Sequence, residues 1–431
     1  MTSAKKLSVT EFPTYEEYKD SGVEWLGEVP KEWEVTRLKN FSKIFNGATP
    51  SSSTEIFWDG GITWVTPVDI DGSMYVYQSK RTISRAGYSS CGTTLVPENS
   101  VIITCRAPIG KVALAGNKLC TNQGCKSLVI SKDVEHKFVY YYFSISQRLL
   151  NSFGSGTTFL ELSSEALKNF MVCLPSYKEQ TLIAQFLDQK TALIDQAIAI
   201  KEQQIKLLNE RKQIIIQQAV TQGLNPNAPM KDSGVEWIGQ IPEHWGVRPL
   251  KFGLKINNGQ DHKNVLTESG YPVYGSGGRF AFASKYLYDG EALLLGRKGT
   301  IDRPLYVYGK FWTVDTMFYA ICNKKYLTKF AYYFATTIPF SYYATSTALP
   351  SMTQYDLNNH QAIYPPVEEQ RNIISFLDTS LKELMNLINL KEREIQALKE
   401  YKTTLINSAV TGKIKITQAM LTEVKEVGYA E

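Results

Sequence analysis

The 431-residue chain carries 47 Lys and Arg against 42 Asp and Glu, a formal net charge of +5, with 43% hydrophobic and 21% charged residues. This length exceeds what one ordinary core needs and suits two or three domains, while the composition is ordinary for a soluble globular protein. A charge of +5 is compatible with a nucleic-acid partner but does not by itself indicate one.

Neither membrane insertion nor secretion is indicated by the sequence. No stretch approaches the ~20 apolar residues that a membrane-spanning helix needs. The N-terminal residues, among them Lys5, Lys6 and Glu11, lack the apolar segment of a signal peptide. We therefore expect a cytoplasmic protein that does not contact a membrane.

Six cysteines are scattered along the chain, and none forms a Cys-x-x-Cys pair. Cys120 and Cys125 would supply two thiols, which is half of a zinc site, and the four histidines are distant in sequence. We favour buried reduced thiols over a metal centre. No metal site is expected in this chain.

The first recognisable segment is KDSGVEWLGEVPKEWEVTRLK at 19–39. It recurs at 231–251 as KDSGVEWIGQIPEHWGVRPLK, with 13 of 21 positions identical at an offset of 212. We call these two copies the frame segments. Their tryptophan pairs, Trp25/Trp33 and Trp237/Trp245, could stack on bases, but residues shared by both copies suit common packing or partner docking, which we favour.

The block that follows, 40–174, mixes strand and helix signals. Short β-rich runs at 101–104 and 127–130 alternate with turn residues, and 136–150 has a helical pattern rich in Tyr and Phe. A second block, 252–364, has a β-rich run at 292–295 and a helical pattern at 327–337. Each block is predicted to be a compact mixed α/β domain.

A long helix is predicted after each block. Pro175 and Pro365-Pro366 stand just ahead of the helices, and Gly223 and Gly412 come after them as stops. About 43 residues at ~1.5 Å each give a rod of roughly 65 Å. Apolar residues recur by threes, fours and sevens, which is typical of a coiled-coil seam. The predicted seam residues are Ile183, Leu187, Ile194, Ile198, Ile205, Leu208 and Ile215 in the first helix, and Ile373, Leu377, Leu384, Ile388, Ile395, Leu398 and Leu405 in the second.

Either helix alone would leave its seam exposed. We therefore expect the two helices to pair as an antiparallel coiled coil; the alternative is that each packs separately on its own domain. The helices match at an offset of 190 rather than 212, so the first block is 22 residues longer than the second. The linker 222–229 marks the boundary between the halves. A duplicated frame thus holds two unlike blocks.

The sequence contains no convincing motif for catalysis. There is no G-x-x-x-x-G-K-[ST] phosphate loop, and the glycine cluster at 275–278 lacks the spacing of a dinucleotide loop. The Asn-Pro-Pro-aromatic motif of amino-methyltransferases is missing; its nearest match, at 364–367, stands before a long helix and suits a cap. Motifs alone do not exclude a nuclease centre of scattered carboxylates, but nothing requires one. We therefore predict no catalytic residue.

Loops beside the short strands are the candidates for DNA contact. Base edges are recognised by Arg or Lys on guanine and by Asn or Gln on adenine, and glycine lets the backbone approach phosphates. For any one of these residues a solvated surface charge or a local turn is the plain alternative. The candidates are Arg106, Lys111, Asn122, Gln123 and Lys126 in the first block, and Arg279, Arg297, Lys298 and Arg303 in the second.

The sequence resembles the specificity subunits of type I restriction–modification systems. The resemblance is carried by the frame segments, by the Pro…Glu-Gln…Phe-Leu-Asp helix starts at 175–188 and 365–378, and by the motifs NGATPS (46–51), TCRAPIG (104–110), TNQG (121–124), LLLGRKGT (293–300) and VDTMFYA (314–320). Each motif is weak alone, but their order, repeated with long helices between, is specific. The resemblance extends from about residue 19 to about residue 411.

The resemblance implies an α+β fold with two mixed α/β target-recognition domains, separated by two antiparallel coiled-coil helices in a pseudo-two-fold internal repeat. Each domain would recognise one half of a bipartite DNA target, and longer helices would change the spacer between the halves. The implied segments are an N-terminal extension (1–18), the first target-recognition domain (19–174), a long helix (175–224), the second domain with its linker (225–364), a second long helix (365–413) and a tail (414–431).

The resemblance also implies partners. Double-stranded DNA, two methyltransferase (modification) subunits and restriction/translocase subunits are expected, with S-adenosylmethionine, ATP and Mg²⁺ used by the partner subunits and no cofactor in this chain. Two other hypotheses are a self-sufficient DNA-modifying enzyme, disfavoured by the missing motifs, and a coiled-coil scaffold without a DNA role. The scaffold hypothesis explains the helices but not the two unlike blocks in duplicated frames.

Overall fold

The computed structural model describes residue 9 and residues 11–154, 160–340 and 351–427. The chain divides into two compact units. Unit 1 is the chain up to Lys201 together with the part from Arg393 onward, and unit 2 is Glu202–Glu392. Each unit is a mixed α/β domain that also contains parts of both long helices.

Unit 1 is made of short strands and helices. Its strands are β1 (Tyr18–Asp20), β2 (Glu28–Pro30), β3 (Glu34–Arg37), β4 (Ser42–Asn46), β5 (Trp58–Val65), β6 (Tyr75–Val76), β7 (Thr82–Ile83), β8 (Val101–Thr104), β9 (Val112–Ala115), β10 (Cys120–Thr121), β11 (Cys125–Ile130) and β12 (Met171–Leu174). Its helices are α1 (Arg85–Ser90), α2 (His136–Ser144), α3 (Gln147–Ser152), α4 (Ser164–Lys168) and the start of α5 (Tyr177–Gln222). Three 3-10 turns are Leu38–Asn40, Glu55–Phe57 and Pro67–Asp69.

Apart from β12, the strands described for the first block form two sheets. One has five strands in the order β4-β11-β8-β9-β6, and the other has three in the order β10-β5-β7. The two ends of the block are held together, because β3, which precedes the block, pairs antiparallel with β12, the last strand of the block. This pairing accounts for flanking sequences that recur although the residues between them differ.

Unit 2 repeats this plan. Its strands are β13 (Met230–Asp232), β14 (Gln240–Pro242), β15 (Gly246–Pro249), β16 (Leu254–Asn258), β17 (Leu266–Thr267), β18 (Tyr271–Gly275), β19 (Gly278–Ala283), β20 (Tyr288–Asp289), β21 (Ala292–Gly296), β22 (Leu305–Val307), β23 (Lys310–Thr313), β24 (Met317–Cys322) and β25 (Gln361–Tyr364). Its helices are α6 (Thr328–Ala335), α7 (Gln354–Asn359) and α8 (Val367–Val410), which continues into unit 1 and is followed there by α9 (Gln418–Val427). Two 3-10 turns are Leu250–Phe252 and Lys263–Val265.

The sheets of unit 2 are β16-β24-β21-β22 and β17-β19-β18-β23-β20. The frame pairs of unit 1 recur: β13 pairs with β14 as β1 does with β2, and β15 pairs with β25 as β3 does with β12. The predicted β-rich runs at 101–104, 127–130 and 292–295 all lie in strands. The predicted helix at 136–150 is instead two helices, α2 and α3, and the one at 327–337 shortens to α6.

The frame tryptophans belong to the cores. Trp33 and Trp245 are each only 1% exposed. Trp25 packs on Phe170 with ring centroids 5.2 Å apart, and Trp237 stacks on His360 at 5.3 Å. All four tryptophans therefore pack within their own unit, which is one of the two roles favoured for them.

In each unit, a cluster of one lysine, one aspartate and one tyrosine joins the Tyr- and Phe-rich helix, α2 or α6, to the long helix that follows it in the sequence. In unit 1, Asp188 of α5 accepts hydrogen bonds from Lys137 Nζ at 2.6 Å and from Tyr141 OH at 2.7 Å. Burial, together with this carboxylate, raises the pKa of Tyr141. The same contacts recur in unit 2 among Lys329, Tyr333 and Asp378.

The two long helices run antiparallel within each unit. In unit 1, Lys201 pairs with Glu394 at 2.6 Å, and Asp195, earlier in α5, pairs with Lys402, later in α8, at 2.7 Å. In unit 2, the end of α5 at Gln222 lines a cavity with the start of α8. Both units therefore contain the antiparallel pairing that the seams predict.

The seam residues lie on the covered faces of these helices. Nine of the fourteen are buried, and Ile205, Leu208, Ile215, Ile388 and Leu398 are half-buried. The buried apolar residues that the predicted seam does not include are Ala184, Phe186, Ile216, Ala219 and Val220 of α5, and Leu381, Ile406, Ala409 and Val410 of α8. In unit 2, Ile216 packs in one core with Leu377 and Leu384, because α5 there faces the domain as well as α8.

The structure divides the chain differently from the predicted linear segments. The predicted segments keep each long helix whole, whereas the two compact units share both helices, with α5 divided after Lys201 and α8 after Glu392. None of the helices described is both long enough and apolar enough to span a membrane.

Candidate nucleic-acid interface

The main sheets of the two blocks end in matching loops. Thr104, the last residue of β8, pairs with Cys125 of β11, and Gly296, the last residue of β21, pairs with Met317 of β24. These pairings align the blocks residue by residue. We call this region the loop end of each block; it comprises 46–49, 104–111 and 121–124 in unit 1, and 258–261, 296–304 and 313–316 in unit 2.

An Asn-Gly dipeptide begins the first loop in both units. A Cβ atom at Gly47 would lie 1.9 Å from the carbonyl oxygen of Asn122, and one at Gly259 would lie 2.0 Å from that of Val314. Only glycine fits so close to a neighbouring backbone. The two dipeptides are 212 residues apart, the offset of the frame segments, so a comparison of the blocks at that offset would have found this match in the sequence.

A buried indole holds each of these loops. The Trp64 Nε1 donates to the carbonyl oxygen of Ala48 at 2.9 Å, and Trp312 Nε1 donates to that of Gln260 at 3.0 Å. The tryptophans come from non-matching strands, β5 and β23, yet they bind the same loop position. Both loops are therefore held from the protein interior, and their outer sides stay accessible.

In unit 1 the loop end brings three predicted DNA-contacting residues together. Arg106 and Gln123 are exposed, and the loops that carry them are joined by a hydrogen bond from Cys105 N to Gly124 O at 2.8 Å. Asn122 Oδ1 accepts from Gly124 N at 2.9 Å, which is the local turn weighed as the alternative. The Gln123 side chain accepts a hydrogen bond from the Thr49 hydroxyl.

The two lysines predicted in the first block are engaged inside the protein. Lys126 is only 5% exposed, and its Nζ donates to Asn46 Oδ1 at 2.9 Å. Lys111 is half-buried and donates to the carbonyl oxygen of Ile70 at 3.2 Å. Because a surface contact needs an accessible amine, Lys126 does not belong to the interface that this structure presents.

In unit 2, three of the predicted residues lie on one loop. Lys298 and Arg303 are exposed, and Arg297 is half-buried, with Nη1 donating to the carbonyl oxygen of Asp315 at 3.3 Å. Arg279 is exposed on β19, with its guanidinium 5.5 Å from the ring centroid of Phe282.

Two cysteines lie at the loop end of unit 1, Cys105 within it and Cys120 directly before it. Burial raises the pKa of Cys105, and raises that of Cys120 to about 11, so both thiols are protonated at neutral pH. Among the residues that the structure describes, no three His, Cys, Asp or Glu side chains form a group that could hold a metal ion. Exposed cations beside closely packed loops can contact phosphates and base edges.

The sequence matches the model of one protein family in both halves of the chain. The family is described as the type I restriction modification DNA specificity domain, and the matches cover residues 30–210 and 242–400. This chain belongs to that family. It functions in sequence-specific DNA recognition as a specificity subunit of a type I restriction–modification system.

Individual specificity subunits are similar along most of this chain. The type I restriction enzyme MjaIX specificity subunit of Methanocaldococcus jannaschii is 25% identical over 96% of this chain and 100% of its own length. The EcoprrI specificity subunit of Escherichia coli is 24% identical over 78% of this chain and 85% of its own length.

Solved structures show that the fold is that of the specificity subunits. A chain from a structure concerned with complex assembly and conformational transition of the type I R-M system has a TM-score of 0.70 at 15% identity, over 89% of this chain and 98% of that one. The HsdS subunit from Thermoanaerobacter tengcongensis has a TM-score of 0.51 at 15% identity, over 90% and 98%.

Proposed function

We propose that this specificity subunit recognises a bipartite, asymmetric DNA target, one half with each block. The observation that carries the proposal is a shared loop scaffold with different side chains at matching positions. The matching pairs are Arg106 and Lys298, and Gln123 and Asp315. Because side chains at base edges determine which sequence is bound, unlike blocks select unlike half-sites, whereas identical ones would select a palindrome.

We further propose that the long helices dock two methyltransferase subunits, and that restriction/translocase subunits join this core. The exposed helix faces support docking: in unit 2, Leu207 and Ile214 of α5 are one heptad apart and 55% exposed, and Met385, Leu387 and Leu390 of α8 are also exposed. In this proposal the partner subunits perform adenine methylation and ATP-dependent cleavage, and they use S-adenosylmethionine, ATP and Mg²⁺. The complex would act in the cytoplasm.

Sequencing of methylated bases in a host that carries only this chain and its methyltransferase partner tests the proposal. The expected result is one interrupted, asymmetric motif methylated on both strands. A short uninterrupted palindrome would contradict it. Methylation or cleavage by the purified chain alone would favour the self-sufficient enzyme, and retention of no DNA sequence by the complex would favour a scaffold.

A further inference from the structure

Arg106 is held by a carboxylate at the loop end of unit 1. Its Nε donates to Glu161 Oε2 at 3.0 Å, and the two residues also face each other in an isolated antiparallel β-bridge. Their side chains are 47% and 40% exposed, so the pair lies at the surface. The two terminal amino groups of Arg106 have no hydrogen-bond partner among the residues that the structure describes.

This geometry leaves the part of the guanidinium that recognises guanine available. The two terminal amino groups of an arginine can donate together to O6 and N7 of guanine in the major groove. A carboxylate on Nε restricts the rotation of the long side chain, which reduces the entropy lost on binding. An exposed ion pair is weak in itself, so its effect is on orientation rather than on folding stability.

The negative charge of Glu161 favours contact of Arg106 with a base edge over contact with a phosphate group. A carboxylate beside Arg106 repels a phosphate group, because like charges close together raise the free energy, whereas the edge of a guanine carries no net charge. Arg106 is therefore suited to a neutral hydrogen-bond acceptor.

The matching position in unit 2 has different chemistry. Lys298 is the counterpart of Arg106, because each residue comes two positions after the last paired residue of its strand, Thr104 or Gly296. Arg106 forms its isolated β-bridge with Glu161, which is negatively charged. Lys298 forms the corresponding β-bridge with Ser351, which carries no charge. Lys298 is exposed and forms no ion pair with any residue that the structure describes, which suits a phosphate contact.

We propose that Arg106 is a specificity-determining residue that recognises a guanine in the half-site of the first block, and that Glu161 is its positioning residue. Lys298 contacts a DNA phosphate at the matching position of the second block. This inference rests on the proposed bipartite recognition.

The test measures binding by the complex of full chain and methyltransferase to duplexes in which each base pair of both half-sites is changed in turn. Arg106→Ala is expected to reduce the preference for one G·C pair of the first half-site by on the order of tenfold or more. Glu161→Ala should reduce the preference at the same pair, and Glu161→Gln, whose carbonyl oxygen can still accept from Nε, should retain more of it. Preferences in the second half-site should stay unchanged, which shows that the variants fold.

Lys298→Ala is the matched control. It is expected to weaken binding about equally for all sequences and to lower the salt dependence by about one released ion, whereas Arg106→Ala leaves that dependence almost unchanged. The inference is overturned if Arg106→Ala leaves every base preference intact, or if Glu161→Ala strengthens binding to all sequences alike. A wild-type complex with no interrupted target would instead refute the proposed function.

Discussion

One pair of corresponding residues, just before the last strand of each block, is titratable in unit 2 and apolar in unit 1. His360 of unit 2 stacks on Trp237 at 5.3 Å, and at the corresponding position of unit 1 Phe170 packs on Trp25 at 5.2 Å. Burial lowers the pKa of His360 from 6.5 to about 4. The imidazole is therefore neutral in the folded protein under conditions where an unfolded chain takes up a proton.

Unit 2 should lose stability as the pH falls from about 6.5 to about 4, by about 3 kcal/mol in total, because the unfolded state binds more protons than the folded state in this range. His360→Phe, which copies Phe170, should remove this pH dependence while keeping the packing. Hydrogen exchange of the β25 amide groups, corrected for the intrinsic rate at each pH, measures the effect. Equal pH dependence in the variant and the wild type would show that His360 is not responsible.

At the scale of elements, the C-terminal end of each long helix lies beside a frame segment. Gly223 follows α5 with φ +77° and lies near Trp245, and Gly412 follows α8 with φ +73° and lies near Pro30. A positive φ at the end of a helix favours glycine. The two glycines differ in the free space around them. An added Cβ atom would lie 3.1 Å from Trp245 at Gly223, but only 2.3 Å from Pro30 at Gly412.

Both glycine-to-alanine substitutions should destabilise, and Gly412→Ala should destabilise more. The left-handed backbone costs alanine about 1 kcal/mol at either stop. At Gly412 the contact with the rigid proline ring adds about 1–3 kcal/mol, in the range found for overpacked cores. Denaturant unfolding of the two variants, with hydrogen exchange near each helix end, makes the comparison. A larger loss for Gly223→Ala would contradict it.

At the scale of the whole molecule, the chain consists of two blocks held in the same frame. In each unit the strand before the block pairs with the last strand of the block, β3 with β12 and β15 with β25. A block can therefore differ in length and sequence while its two ends stay fixed. The first block is 22 residues longer than the second, and both frames still form the same pairs.

Exchange of the segment between β3 and β12 for that of another family member should change one half-site only. The junctions lie in a strand pair that the exchange leaves intact, so the fold should be kept. Methylome sequencing of the exchanged protein with its methyltransferase would show one new and one unchanged half-site, and the reciprocal exchange between β15 and β25 is the control. Changes in both half-sites would contradict independent recognition.

The sequence predicted the framework better than the interface. The seam residues, such as Leu187 and Leu377, recur with a helical period that can be recognised in the sequence without knowing which residues pack against them. The helix stops at Gly223 and Gly412 can be recognised in the same way. Lys126 and Arg106 look alike in sequence, yet one is buried against Asn46 and the other is exposed beside Glu161. Such partners lie 80 and 55 residues away, so only the fold reveals them.

The duplication, the two unlike blocks and the long antiparallel helices were determined by the sequence itself, because repeats and periodic apolar residues are local patterns. Tertiary structure decided how the chain is divided, since α5 and α8 are each shared between two units. It also decided which lysine and arginine side chains face solvent, and which residue of the first block corresponds to which residue of the second. That match depends on strand pairing, such as Thr104 with Cys125 and Gly296 with Met317, which brings distant residues together.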